Sequence, residues 1–211
     1  MKRFASSVLG VLLFATTSAA AQDPVKVDPG SHKVEIDNPL VRVLRVTLPP
    51  KEKPATIEHR AAVAIFLSDS TYRVGGASGK SETRKRGEVA FLTAGKRSLE
   101  NVGGGPAEMV IIEFKTTPMT PWKGVTLDPL KADPNNFVFI AENEYARVIR
   151  GYTKDPSLEH EHPTYLFVWM DGPALPFGTV RFEKGPVKHA PKPQPSESIM
   201  VELKTQPPAE K

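Results

Sequence analysis

The chain has 211 residues, with 28 Lys and Arg against 24 Asp and Glu, 21 Pro, 15 Gly and no Cys. The lack of Cys excludes a disulfide framework and any thiolate chemistry. No block of like charge argues for nucleic acid, so no nucleic-acid partner is expected. The densest basic stretch, Lys80 to Arg86, is interrupted by Glu82 and is expected to be a solvated hairpin.

In chain order, the first element is a processing signal. Met1-Lys2-Arg3 is basic, Phe4 to Ala15 is apolar but short for a bilayer span, and Ala19-Ala20-Ala21 fits a small-residue cleavage site before Gln22. Residues 1–21 are therefore expected to be a signal peptide. The mature protein is expected to be periplasmic or secreted, with no stable membrane span; an uncleaved anchor is the alternative. Two of the 28 basic residues and none of the 24 acids lie in this segment, so its removal lowers the formal charge from +4 to +2. An exported chain without Cys suits a bacterial envelope.

Beyond the signal, helical periodicity is nearly absent. Short β-branched runs recur between Gly, Pro, Asn and Asp, which predicts an all-β sandwich or barrel. The segments 25–46 and 130–151 align without a gap. At a constant offset of 105 the identical pairs are Lys26/Lys131, Asp28/Asp133, Pro29/Pro134, Asn38/Asn143, Arg42/Arg147, Val43/Val148 and Arg45/Arg150. A GxVxF motif then matches Gly87–Phe91 to Gly178–Phe182, and Val110–Lys115 matches Ile199–Lys204. The offset shrinks along the chain, so the second copy has lost residues. The first copy has room for a hairpin between Ser68 and Arg86; the second has only Asp171 to Phe177 and should lack it. The runs Ala61–Leu67 and Val110–Phe114 are too continuously apolar for a solvated face and belong in a sheet-on-sheet core.

The second copy carries the stretch Leu158-Glu159-His160-Glu161-His162-Pro163 ahead of the apolar run Tyr165–Met170. Residues at i and i+2 of a strand point to one face, so both imidazoles can reach one ion, while Glu159 and Glu161 point away. Trp169 and Met170 are expected in the core, and His32, in a polar stretch before the first strand, is expected at the surface.

These features resemble the cupin superfamily of small jelly-roll β-barrels, here two in one chain over most of residues 25–204. The resemblance implies an N-terminal cupin-like barrel at 22–115 and an abbreviated C-terminal barrel at 135–204; the Pro-rich stretch 116–134 reads as the linker between them and 205–211 as a disordered tail. The family's first motif supplies His-x-His and a later Glu, its second motif a further His. In the first copy His59 fits the second His of the pair, but Ile57 stands where the first should be. Arg97, ten residues after Gly87, replaces the second-motif His. That copy is expected to have lost its metal ligands; His59 reads as a core histidine, and Arg97 as filler more readily than an anion site. In the second copy His160 and His162 form the pair, and His189, eleven residues after Gly178, matches the second-motif His. The family's Glu would fall at Leu166 or Phe167, neither of which can ligate.

The resemblance thus implies a metal site of His160, His162 and His189. Three neutral imidazoles with open positions suit Fe, Mn, Ni, Cu or Zn; no organic cofactor is expected. Two functions remain open. One is an exported bicupin that binds a divalent metal and acts on a small organic molecule, dioxygenase- or isomerase-like. The other is a non-catalytic envelope binding or scaffold protein with a degenerate metal site. A small-molecule ligand is the expected partner, catalytic residues are not assigned, and the chain is expected to be a monomer or dimer, since its two barrels can pack on each other.

Overall fold

Each repeat opens on a capped single turn of helix. In the computed structural model, which describes residues 23–52 and 55–205, the Asp23 carboxylate accepts from the Val25 amide at 3.1 Å and Pro24 begins α1 (Pro24–Val27). Asp128 does the same for Leu130 at 3.0 Å, and Pro129 begins α2 (Pro129–Ala132). Proline suits this place because the first helical amides have no partner to lose.

The strands follow in matched order. The first repeat has β1 (His32–Asp37), β2 (Val41–Leu48), β3 (Thr56–His59), β4 (Ala62–Phe66), β5 (Ser70–Val74), β6 (Lys80–Arg84), β7 (Val89–Leu92), β8 (Gly95–Asn101) and β9 (Ala107–Phe114). The second has β10 (Phe137–Glu142), β11 (Ala146–Tyr152), β12 (His160–His162), β13 (Tyr165–Asp171), β14 (Val180–Glu183), β15 (Val187–His189) and β16 (Glu197–Leu203). The first repeat folds into a five-stranded sheet, β1-β2-β9-β4-β7, facing a four-stranded sheet, β3-β8-β5-β6. The second repeats the five-stranded sheet as β10-β11-β16-β13-β14 but closes it with only β12-β15. The chain is all-β, two tandem jelly rolls with the second abbreviated, and the β5–β6 hairpin is the part the second copy lacks.

The repeat extends to irregular details. The bulge between Val34 and Ile36 recurs between Phe139 and Ala141. The side-chain oxygens of Asn38 and Asn143 each accept two backbone amides, at 2.9 and 3.0 Å, and so fix the same turn into β2 and β11.

All five residues of β4 are buried because its sheet is covered on both sides. Val63 and Ile65, with Val110 and Ile112, face Val148, Leu166, Val168 and Val201 of the second repeat. Ala62, Ala64 and Phe66, with Leu44, Met109 and Ile111, face the inside of the first barrel. The two five-stranded sheets therefore pack back to back, and each barrel keeps its own interior on the far side.

The connection between the repeats is stitched to the second barrel. Met119 donates to the Lys204 carbonyl at 2.6 Å, Glu161 donates to the Leu127 carbonyl at 2.8 Å, and Trp122 lies beneath the Arg147 and Lys204 cations. No helix among the described residues is long and apolar enough to cross a membrane. Residues 1–21 lie outside the described residues, as does the expected tail beyond Thr205; Thr205 itself is buried.

Candidate metal centre

The three histidines come together at the closing sheet of the second barrel. β12 pairs with β15 so that His160 lies opposite His189 and His162 opposite Val187. Alternation puts His160 and His162 on one face, and the antiparallel register brings His189 to it. Their ring centroids are 4.9 Å (160 to 162), 4.6 Å (160 to 189) and 5.4 Å (162 to 189) apart. One nitrogen from each lies within 4.8 Å of the other two, the one such His/Cys/Asp/Glu group among the described residues.

The hydrogen bonds decide which nitrogens are left over. His162 Nδ1 lies 2.9 Å from Glu202 Oε1. His160 Nδ1 donates to the Leu158 carbonyl at 2.8 Å. The Nε2 atoms of His160, His162 and His189 are all buried, and none has a hydrogen-bond partner among the described residues. A buried polar atom without a partner costs about 1–3 kcal/mol, so three in one place call for a shared ligand. Burial holds the His189 pKa down to about 4, with His160 and His162 adding to the effect, and burial also lowers that of His160. Both rings are therefore neutral near pH 7, as metal ligands must be.

The residues present fit a borderline divalent ion. Three imidazoles suit Fe, Mn, Ni, Cu or Zn and leave positions open. Nitrogens about 2.0–2.1 Å from a tetrahedral ion sit about 3.4 Å apart, and one nitrogen from each ring already lies within 4.8 Å of the others. Glu202 is fully buried and takes a second bond from Arg147 Nε at 2.6 Å; Arg147 also reaches Asp128 at 2.6 Å. A carboxylate holding the far nitrogen of a ligating imidazole fixes its tautomer and orientation.

β13 carries Leu166 and Phe167, the two positions where the resemblance would put a fourth ligand. Leu166 is fully buried in the core between the repeats, on the opposite face from the histidines. Phe167 lies on the barrel side in an aromatic row: Tyr165 is 4.8 Å from His162, Phe167 is 6.4 Å from Tyr165 and Trp169 is 6.5 Å from Phe167. Met170 joins the core as expected, whereas Trp169 is half-buried on the barrel side. Sequence reasoning missed Tyr165 as a neighbour of the site, although the parity of Tyr165, Phe167 and Trp169 was there to use. Burial pushes the Tyr165 phenol up to about 12, helped by Glu183 and Glu202.

One expectation for the first repeat fails. His32 is not at the surface but 6% exposed, bonded through Nδ1 to the Asp28 carbonyl at 3.2 Å, with its ring 6.4 Å from that of His59. Its polar flanks hid that it is the first residue of β1. The second repeat has Phe137 at this position, edge-on to His160 at 4.6 Å.

No family model and no curated protein matches the chain. Solved structures do. A cupin 2 conserved barrel domain protein from Leptotrichia buccalis superposes with a TM-score of 0.51 at 12% identity, over 82% of this chain and 88% of its own. The chain has the cupin fold. AerE from Microcystis aeruginosa superposes with a TM-score of 0.57 at 12% identity, over 82% of this chain and 97% of its own. Both likenesses span both cupin barrels, and at that identity they speak to the fold alone.

Proposed function

We propose that the second barrel binds a divalent metal through His160, His162 and His189, and that the exported protein uses it to act on a small organic molecule, in the manner of a dioxygenase or an isomerase. The observation that carries this reading is the set of three buried Nε2 atoms without partners, facing one another. A metal bound there would supply Lewis acidity or an open position for a substrate oxygen or dioxygen.

The protein's own residues supply the rest. Glu202 and the Leu158 carbonyl hold two of the rings by Nδ1. His189 is the half-buried member of the set and marks the open side. The row Tyr165, Phe167, Trp169 gives an apolar, aromatic wall beside His162, which suits a phenolic or other ring-bearing substrate. Export rests on the pattern of residues 1–21.

Elemental analysis of tag-free protein, reconstituted with each candidate metal, tests the site. One ion per chain is expected, lost in His160→Ala and His189→Ala. No bound metal, or metal unchanged in both variants, would sink the reading. A second reading, a non-catalytic envelope binding or scaffold protein with a degenerate site, is favoured by the two-stranded closing sheet, which stands where the first barrel has four strands. It predicts metal binding weak enough for dialysis to strip and no oxygen uptake with phenolic substrates.

A further inference from the structure

The inside of the first barrel takes no part in the metal site, yet it encloses a cavity of about 300 Å³, within the range of small-ligand sites. Its middle is apolar, with Ala64, Phe66, Met109 and Ile111 on its wall. Its two ends are polar and differ in one respect. At one end Arg84 Nε donates to the Tyr72 hydroxyl at 3.1 Å and Arg84 pairs with Glu82 at 2.8 Å, so the groups there satisfy one another. The other end lies four residues away along β8, where Ile57 pairs with Arg97 and His59 with Gly95.

There the groups are not satisfied. Arg97 lines the cavity half-buried, and its side-chain hydrogen bond among the described residues goes only to the Thr93 carbonyl. Burial lowers its pKa, with Glu113 opposing from a distance. His59 also lines the cavity and is 7% exposed. Its Nδ1 is buried without a hydrogen-bond partner among the described residues, 3.6 Å from Glu113 Oε1. That leaves Nε2 as the nitrogen a ligand can reach.

The second repeat shows what is incomplete. There Arg147, Glu202 and His162 form a closed chain. In the first repeat Arg42 lies across from Glu113 in the sheet, but it bonds to Asp23 at 2.7 Å instead, and its Nε is buried without a partner. Glu113 is thus left to back His59. A half-buried guanidinium with N–H groups to spare on the wall of an apolar cavity makes a seat for an anion, which would balance its charge. Arg97 in turn disfavours a cation, in line with the absence of a metal-ligand group here among the described residues.

We infer that the first barrel binds a small organic acid without a metal, its carboxylate on Arg97, beside His59, and its hydrocarbon body against Phe66, Met109 and Ile111. A carboxylate suits the site better than inorganic phosphate because most of the cavity offers no polar partner. This site stands or falls independently of the metal centre.

Titration calorimetry on the full, tag-free, chelator-treated protein tests it, with benzoate and isovalerate as probes and benzamide and isovaleramide as uncharged matches. At least one acid is expected to bind about ten- to a hundred-fold more tightly than its amide. Arg97→Gln should abolish that preference, whereas His160→Ala in the second barrel should preserve it. Equal binding of acid and amide, no binding of either acid, or an unchanged preference in folded Arg97→Gln would overturn the proposal. The acid-to-amide comparison needs no variant, so it decides the matter even if Arg97→Gln fails to fold. Phosphate binding in place of either acid would also overturn it.

Discussion

Arg150 of the second repeat donates from Nη2 to the carbonyl of Gly87 in the first, at 2.5 Å, and Arg45 of the first repeat donates to Gly178 of the second at the same distance. The contact is reciprocal, as in a two-fold dimer interface, but both halves lie in one chain. Both glycines have positive φ, +81° and +75°, and a Cβ on either would meet the incoming guanidinium, at 3.2 Å for Gly87 and 3.0 Å for Gly178. Each arginine is steadied by an acid of its own repeat, Glu35 for Arg45 and Glu197 for Arg150, both at 2.8 Å.

The clasp predicts a matched pair of losses. Arg45→Ala and Arg150→Ala should each cost about 1.5–3 kcal/mol, the range for a hydrogen bond from a charged donor. The two should add in the double variant, since the clasps share no partner. Urea unfolding of the three variants measures this; a double variant no weaker than either single one would show that the clasps do not act separately.

Glu202 should tune metal binding from one bond away. Glu202→Gln keeps the shape but weakens the grip on His162, and an about 10–100-fold loss of metal affinity is expected. Glu202→Ala also leaves the buried Arg147 short of a partner, so it should cost stability, on the order of 3–5 kcal/mol. Chelator competition followed by thermal melting separates the two effects. Equal metal affinity in Glu202→Gln and the parent would mean that the His162 bond is structural only.

His32 should make the fold acid-sensitive. Burial lowers its pKa from 6.5, against the pull of Asp28. Above that value neither folded nor unfolded chain holds the proton. As pH falls below it the unfolded chain takes up a proton that the folded chain resists, so stability drops until the folded pKa is passed. His32→Phe, which installs the residue found at Phe137, removes this contribution. The Tm of the parent should fall more than that of His32→Phe between about pH 7.5 and about pH 5.5. Some acid sensitivity will remain in the variant, because His160 and His189 are shifted in the same direction.

Much of this architecture is legible because the repeat is printed in the residues that make its special contacts. Asn38 and Asn143 recur because both cap the same turn; Arg45 and Arg150 recur with Gly87 and Gly178 because they meet across the interface. The missing hairpin can be read from length alone. The pairing of His160 with His162 can be read from strand parity, and His189 joins them through the resemblance to the cupin motifs. Other features depend on three-dimensional neighbours that periodicity does not name. His32 looks solvated beside Ser31 and Lys33, but it opens a strand whose first side chain faces inward. Glu113 and Glu202 sit inside apolar runs that read as pure core, and only the sheet register shows each facing an arginine and approaching a histidine. The filled cavity end at Tyr72 and the unfilled one at Arg97 differ only in which side chains meet.

Leu166 and Phe167 are adjacent, and either could be taken as the place where the resemblance would put a carboxylate ligand. They lie on opposite faces of β13: Leu166 is fully buried among residues of both repeats, and Phe167 is half-buried on the barrel side. Leu166→Ala should therefore cost about 2–5 kcal/mol through the cavity it leaves. Because that core is shared, both barrels should still unfold in one transition. Leu166→Glu would bury a carboxylate with no partner, at a cost of several kcal/mol, comparable to the whole stability of a domain. Phe167→Glu should fold, since its side chain lies on the open face beside the aromatic row. Soluble yield and Tm rank the three: Phe167→Glu above Leu166→Ala above Leu166→Glu. A Leu166→Glu protein as stable as the parent would mean that the two repeats do not share a sealed core.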